Sequence, residues 1–209
     1  MSDTKERILL TALRLFAKDG YEAVSVSDIA GDLEITKGAL YRHYQNKRDI
    51  FDSIVARMER QDTARARACG VPEGSPAEME AAYRGTSIDQ LTAFAKSMFR
   101  YWTQDAFAAQ FRKMLTVEQF RSAEMGALFQ QYLASGPLDY VTDLLTGMGI
   151  PRARQEAAGF CAPMVFLYSI YDGAEEDSER AAVLTLADGL LDRERDRLKK
   201  IMRRKEEIT

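Results

Sequence analysis

A chain of 209 residues with 46% apolar and 29% charged residues is long enough to bury a core without disulfides or metals, and to hold one small and one larger part. A net charge of −3 excludes a uniformly basic nucleic-acid coat protein, so any contact with DNA must come from a local basic surface. One histidine and two distant cysteines, Cys69 and Cys161, fit no zinc or redox spacing; no metal or cofactor is expected, and two lone thiols suit a reducing cytosol. The opening Ser2-Asp3-Thr4-Lys5-Glu6-Arg7 has no signal-peptide pattern. The longest nearly apolar run, Phe160 to Tyr171, is too short to cross a bilayer. A cytoplasmic protein without a membrane partner is expected.

In chain order, the spacing of Ile8, Leu9, Ala12, Leu13, Phe16 and Ala17 predicts a first helix over Lys5 to Lys18, ended by Gly20. Ser25 caps a short second helix whose inward residues are Val26, Ile29, Ala30 and Leu33. Glu34 and Ile35 form a tight turn, and Thr36 caps a third helix over Lys37 to Tyr44. Asn46 caps a fourth, with Asp49 in its first turn and a stripe of Ile50, Phe51, Ile54, Val55 and Met58. Cys69 to Gly85, rich in glycine and proline, reads as a mobile loop. Helices are then expected from Thr86 or Ser87 to Thr103, over Asp105–Phe111, Leu115–Arg121 and Glu124–Thr146, and from the Gly147–Pro151 break to Tyr171 with a kink at Pro163. A last helix runs from Glu179 to Arg204. No strand pattern appears. The expected fold is all-α with about nine helices: a helix-turn-helix domain over 1–48, a connecting helix over 49–68, and a larger helical ligand-binding and dimerisation domain over 69–209.

Two short helices joined by a tight turn and braced by a longer first helix make a helix-turn-helix, which presents its second short helix to the major groove. Residues 36–48 suit that task. They carry Lys37, Arg42, Lys47 and Arg48 without an acid, while Leu40 and Tyr44 point inward. The stretches Ser25-Val26-Ser27-Asp28-Ile29-Ala30, Ile35-Thr36-Lys37-Gly38-Ala39-Leu40-Tyr41-Arg42-His43-Tyr44 and Asn46-Lys47 resemble the TetR family of repressors, with the close match over about Thr4 to Met58. The resemblance implies that Lys37, Gly38, Ala39 and Arg42 meet base edges. It implies that Ser25, Ser27, Thr36, Tyr41, His43 and Lys47 hold phosphates and set register. The chain departs from the family at Glu34, where glycine is usual because the turn favours a left-handed backbone.

The region 86–146 is rich in aromatic and methionine side chains, among them Phe94, Met98, Trp102, Phe107, Phe111, Phe120 and Phe129. Most of these are expected to be core, but such side chains also line adaptable pockets. The resemblance implies a small-molecule inducer site, and Met98, Trp102, Phe111, Phe129 and Tyr168 are the candidate lining residues. Phe160, Pro163, Met164, Phe166, Leu167 and Ile170, with Val183, Leu184, Leu186, Ala187, Leu190 and Leu191, offer more apolar surface than one intramolecular face needs. Two such helices from each subunit fit a four-helix dimer seam, with Phe160, Met164, Leu167, Val183, Leu186 and Leu190 as its expected residues. The expected partners are double-stranded operator DNA, a second copy of the chain and a small apolar or aromatic inducer. No catalytic triad, glycine-rich phosphate loop or zinc spacing points to an enzyme. The competing reading is a helical interaction protein that keeps the fold without binding an operator.

Overall fold

The computed structural model describes residues 3–68, 83 and 85–206. Among them helix is the only regular element, as the sequence patterns require, and no helix is long and apolar enough to cross a membrane. Ten helices lie wholly among the described residues, where the sequence predicts about nine for the chain: α1 Asp3–Asp19, α2 Val26–Asp32, α3 Lys37–Tyr41, α4 Lys47–Ala68, α5 Ile88–Gln104, α6 Ala106–Glu118, α7 Ala123–Leu133, α8 Ser135–Gly147, α9 Ala153–Gly173 and α10 Asp177–Glu206. The expected loop over Cys69–Gly85 lies outside the described residues apart from Tyr83, which is buried in a core, and Gly85.

Two expected boundaries are corrected. Leu115 to Glu118 is the end of α6 rather than a separate helix, because Leu115 continues the buried stripe of Phe107, Ala108, Phe111 and Met114. The expected helix over Glu124–Thr146 is two helices. Pro137 has no N–H to bond, and its ring would strike the carbonyl four residues earlier in a continuous helix. The chain therefore breaks at Ala134 (φ −131°, ψ −94°), and Leu138 N–H bonds the Ala134 carbonyl to start α8. Gly136 permits the break. A Cβ there would lie 2.0 Å from the Gln131 carbonyl oxygen.

The contacts gather the chain into two compact units, Met1–Ala66 with Asp105–Phe129, and Arg67–Gln104 with Gln130–Thr209. In the first, the apolar face of α1 packs along α6 and against α2. Ile8, Leu13, Phe16, Ile29, Leu40, Tyr44, Ile50, Phe51 and Ile54 are all buried. Phe120, one of the aromatics read from the sequence as core or pocket, is instead 90% exposed in the turn after α6.

In the second unit α9 packs between α8 and α10, and α10 packs on α5. One buried cluster joins Ile88, Leu91, Leu144, Leu145, Ile150, Phe160, Leu191 and Leu198; another joins Phe99, Leu167, Val183 and Ala187. An ionic ladder runs beside this core from α5 to α10, with Lys96 on Asp192 at 2.8 Å, Arg100 on Asp188 and Lys199 on Asp89 at 2.6 Å. Such partly exposed pairs contribute little each to stability.

The expected seam residues divide accordingly. Phe160, Leu167 and Val183 are corrected to core of the chain's own unit, with 1–6% of their surface exposed. Met164 and Leu190 are half-buried against the same clusters, and Leu186 is exposed. The outward apolar surface on α9 is instead Val165, Phe166 and Ile170, with Phe166 66% exposed. Helical period explains the split: residues 160, 164 and 167 make one stripe and 166 and 170 another.

Candidate nucleic-acid interface

Local hydrogen bonding builds the helix-turn-helix end by end. The Ser25 hydroxyl accepts from Asp28 N–H at 3.2 Å, and the Asp28 carboxylate accepts from Ser25 N–H at 2.7 Å, a reciprocal cap on α2. These same bonds hold the Asp28 carboxyl below its usual pKa. The α2 terminus closes as a Schellman turn. Ile35 N–H reaches the Ala30 carbonyl at 3.0 Å and Glu34 N–H the Gly31 carbonyl at 3.1 Å. That motif demands a left-handed residue, and Glu34 supplies it at φ 55°. The Thr36 hydroxyl then accepts from Ala39 N–H at 3.1 Å and starts α3. Leu40 and Tyr44 anchor the helix and the turn after it. Burial pushes the Tyr44 phenol up to about 12, so it stays neutral and donates to the Lys5 carbonyl at 3.3 Å. The third helix is shorter than expected, ending at Tyr41, with His43 and Tyr44 in the following turn. Asn46 Oδ1 accepts from Asp49 N–H at 2.9 Å and caps α4, and the Asp49 carboxylate accepts from Gln45 N–H at 2.9 Å.

The candidate contact residues come together on this frame. Ser25, Ser27, Thr36, Lys37, Gly38, Tyr41 and Arg42 are exposed, and Ala39 and His43 are half-exposed. Lys37 and Arg42 form no salt bridge with any described residue, so both cations are available to an outside anion or base edge. The other two cations of the stretch are engaged. Arg48 makes paired bonds of 2.6 and 2.7 Å to Glu124 of α7 and one of 2.7 Å to Asp52. Lys47, expected at a phosphate, has partners within the chain. Its ammonium donates to the Tyr21 carbonyl at 2.8 Å and sits 4.3 Å from the centre of the Tyr21 ring.

That ring is the junction of the first unit. It meets Phe16 and Phe51 edge-on, at centroid distances of 5.0 and 5.3 Å. Burial raises the pKa of its phenol. Sequence reasoning missed Tyr21 and its partner Glu118, since nothing in local pattern joins residues 97 apart.

The candidate ligand residues are less concentrated. Met98, Trp102 and Tyr168 belong to the second unit, and Phe111 and Phe129 to the first. The Trp102 ring is buried, tilted against Tyr101 at 5.4 Å and edge-on to Tyr132 at 6.2 Å. Tyr168 is half-exposed and stacks on Phe99 at 5.1 Å, while Met98 is half-exposed one residue before it in α5. Phe129 is half-exposed. Phe111 is wholly buried and stacked with Phe107, which is the placement of a core residue.

Residues 8–54 match the family of bacterial regulatory proteins called the tetR family. Among individual relatives, the HTH-type transcriptional regulator YerO of Bacillus subtilis, itself uncharacterised, is 47% identical over 47 residues, which are 22% of this chain and 16% of that protein. The chain thus aligns with less than a third of the length of the curated relatives it matches. Two solved structures extend the likeness to the whole fold. The fatty acid degradation regulator FadR from Bacillus halodurans superposes with a TM-score of 0.59 at 16% identity, over 91% of this chain and 95% of that one. A bacterial regulatory protein in the tetR family from Rhodococcus RHA1 gives 0.56 at 18% identity, over 92% and 97%.

Replacing Glu34 by glycine tests the turn. A non-glycine residue in the left-handed region costs about 1–2 kcal/mol. Glycine also frees the unfolded chain by about 0.4–1 kcal/mol, so Glu34→Gly should stabilise by about 0–1.6 kcal/mol. Removing an exposed carboxylate beside α3 should also raise affinity for duplex DNA, more at low salt than at high. Thermal unfolding and binding at two salt concentrations measure both effects; a lower midpoint would contradict strain at this turn.

Proposed function

We propose that this chain, whose residues 8–54 match the tetR family of bacterial regulatory proteins, is a dimeric, ligand-responsive repressor of a palindromic operator. The observation that carries this reading is α3. It is capped by Thr36, anchored by buried Leu40, and outwardly bears Lys37, Gly38 and Arg42 with neither cation neutralised by a described residue. Lys and Arg pair with the O6 and N7 acceptors of guanine, and Gly38 lets the backbone approach the groove. Tyr41, Ser25, Ser27 and Thr36 flank the helix with hydroxyls suited to phosphates, and Ala39 and His43 complete the contact surface. In this reading residues 1–48 read DNA, 49–68 connect, and 69–209 take the ligand and the partner.

The test is selection of a preferred duplex from random sequence, followed by binding of variants to it. Lys37→Ala and Arg42→Ala should each lose about 1–3 kcal/mol and relax base preference at one position. If no duplex is enriched by the wild-type chain, the alternative reading stands, a helical interaction protein that keeps the fold without operator binding.

The proposed dimer seam is the outward face of α9 and α10. Phe166 and Ile170 on one helix, and Leu186 with the open positions Ala182, Thr185 and Gly189 on the other, lie opposite the buried stripes of the same helices. Two helices with apolar surface on both sides suit a four-helix bundle with a second copy. A two-fold pair then sets its two α3 helices about 34–36 Å apart, one turn of DNA. Phe166→Glu should give a folded monomer, because an unpaired carboxylate at the seam costs several kcal/mol. Leu167→Glu, one residue on but inside the core, should instead lose the fold. Sedimentation and circular dichroism separate the two, and a Phe166→Glu protein that still sediments as a dimer would move the seam elsewhere.

The inducer is proposed to be small and apolar or aromatic, received by the aromatic side of the second unit at Met98, Trp102 and Tyr168. Its effect is a population shift: it releases DNA only to the extent that it prefers the conformation whose reading helices no longer match the operator. Trp102 is the chain's only tryptophan, so its fluorescence reports binding without background. In a screen of small aromatic and aliphatic compounds, those that shift this signal should weaken operator binding by the same factor by which operator weakens theirs. Compounds that bind tightly at Trp102 and leave operator affinity unchanged would rule out the inducer role.

A further inference from the structure

Tyr21 stands at the exit of α1 with both of its backbone hydrogen-bonding groups held by side chains from other helices. Its N–H donates to Glu118 Oε1 of α6 at 3.0 Å. Its carbonyl accepts from Lys47 Nζ of α4 at 2.8 Å, and the next carbonyl, of Glu22, lies 3.4 Å from the same ammonium. The ring between these two peptide groups is packed against Phe16 and Phe51. Every part of this residue is thus fixed by α1, α4 or α6, and the chain leaves it directly for Ser25 and α2.

Glu118 is the unusual member. Its side chain is 2% exposed. A carboxylate taken out of water is tolerated only where donors replace its hydration. Tyr21 N–H and the Arg121 guanidinium at 3.2 Å are donors to it. The backbone has been shaped to let it in. Gly20, at φ 88°, approaches so closely that a Cβ would lie 2.5 Å from Glu118 Oε1 and 2.6 Å from an Arg121 nitrogen. No requirement of helix α6 itself explains an acid at this buried position. Lys47 is equally unlike a free surface cation: its charge is spent on two carbonyls and one aromatic face.

We infer that Glu118 and Lys47 are positioning residues for DNA binding, a two-sided clamp on the Tyr21 peptide groups that fixes the direction in which α2 and α3 leave α1. Neither touches DNA in this role. The clamp makes the pose of α3 depend on α6, because Glu118 carries the position of that helix directly to the turn before α2. The consequence for operator binding rests on the reading proposed above; the clamp itself does not.

The test uses the full chain with Glu118→Ala, Glu118→Gln, Lys47→Met and the double variant Glu118→Ala/Lys47→Met. Amide hydrogen exchange, resolved by residue, reads the clamp without DNA. Loss of a hydrogen bond to a charged group should speed exchange at Tyr21 by about tenfold or more in Glu118→Ala, with the α5, α9 and α10 core unchanged. Glu118→Gln should keep most of the protection, since its amide oxygen accepts the same bond. Gly20→Ala, which drives a methyl group against Glu118 from the other side, should open the same amide and serves if Glu118→Ala does not fold. On a duplex selected with the wild-type chain, Glu118→Ala and Lys47→Met should each lower affinity by about tenfold. Their combination should cost less than the product of the two, because both act on one turn. A Lys47 that contacts phosphate behaves differently: its loss lowers the slope of log affinity against log salt by about one and multiplies with Glu118→Ala. That result, or a Tyr21 amide as protected in Glu118→Ala as in wild type, overturns the inference. If the wild-type chain selects no duplex, the DNA-binding reading fails and the exchange measurement alone decides the clamp.

Discussion

A helix of five residues has no stability of its own. Nucleation fixes several dihedral angles for one hydrogen bond, and isolated helices shorter than about 12–15 residues are marginal in water. The helix that bears Lys37 and Arg42 is therefore held wholly from outside. Thr36 caps it, the left-handed Glu34 aims the chain into it, buried Leu40 anchors its inner side, and Tyr44 in the turn after it bonds to the Lys5 carbonyl of α1. The rest of the first unit follows from that need. Burying Leu40 and Tyr44 requires the long apolar face of α1, and that face is itself completed by α6.

Charge is used in the same unit for two opposed purposes. Lys37 and Arg42 are left exposed, where a cation is cheap to keep and effective at a groove. Lys47, Arg48 and Arg57 have partners within the chain: the Tyr21 carbonyl, Glu124 with Asp52, and Glu6 with the Phe107 face, respectively. A net charge of −3 does not preclude a locally basic surface: Lys37 and Arg42 stand exposed at the two ends of α3. The second unit divides its apolar side chains by the same logic of two faces. In α9, Phe160 and Leu167 close the core while Phe166 and Ile170 remain outside it. A helix with apolar groups on opposite sides has one face more than its own fold consumes.

Much of this was legible in the sequence because it rests on contacts between near neighbours in the chain. Caps span three residues and Schellman turns five, and a 3.6-residue period names the inward stripe without reference to any partner. Ser25, Glu34, Thr36, Asn46 and the buried set of α1 and α4 were therefore readable in advance, as was the exposure of Lys37 and Arg42. The break at Ala134 was equally local, since Pro137 forbids a continuous helix, but the strong apolar period on both sides concealed it.

What the tertiary structure decided is which of two equivalent choices each side chain took. Period shows that 160, 164 and 167 share a stripe and that 166 and 170 share another. Only the packing of α9 against α8 and α10 shows which stripe is core. Nothing in the sequence around Lys47 shows that Tyr21, twenty-six residues earlier, is its partner. Glu118 reads as a solvated acid until the α1 exit closes over it from ninety-seven residues away. Local sequence fixes backbone direction through bonds a few residues long. The partner of a long charged side chain is set by which helices the core brings together, and no short-range pattern encodes it.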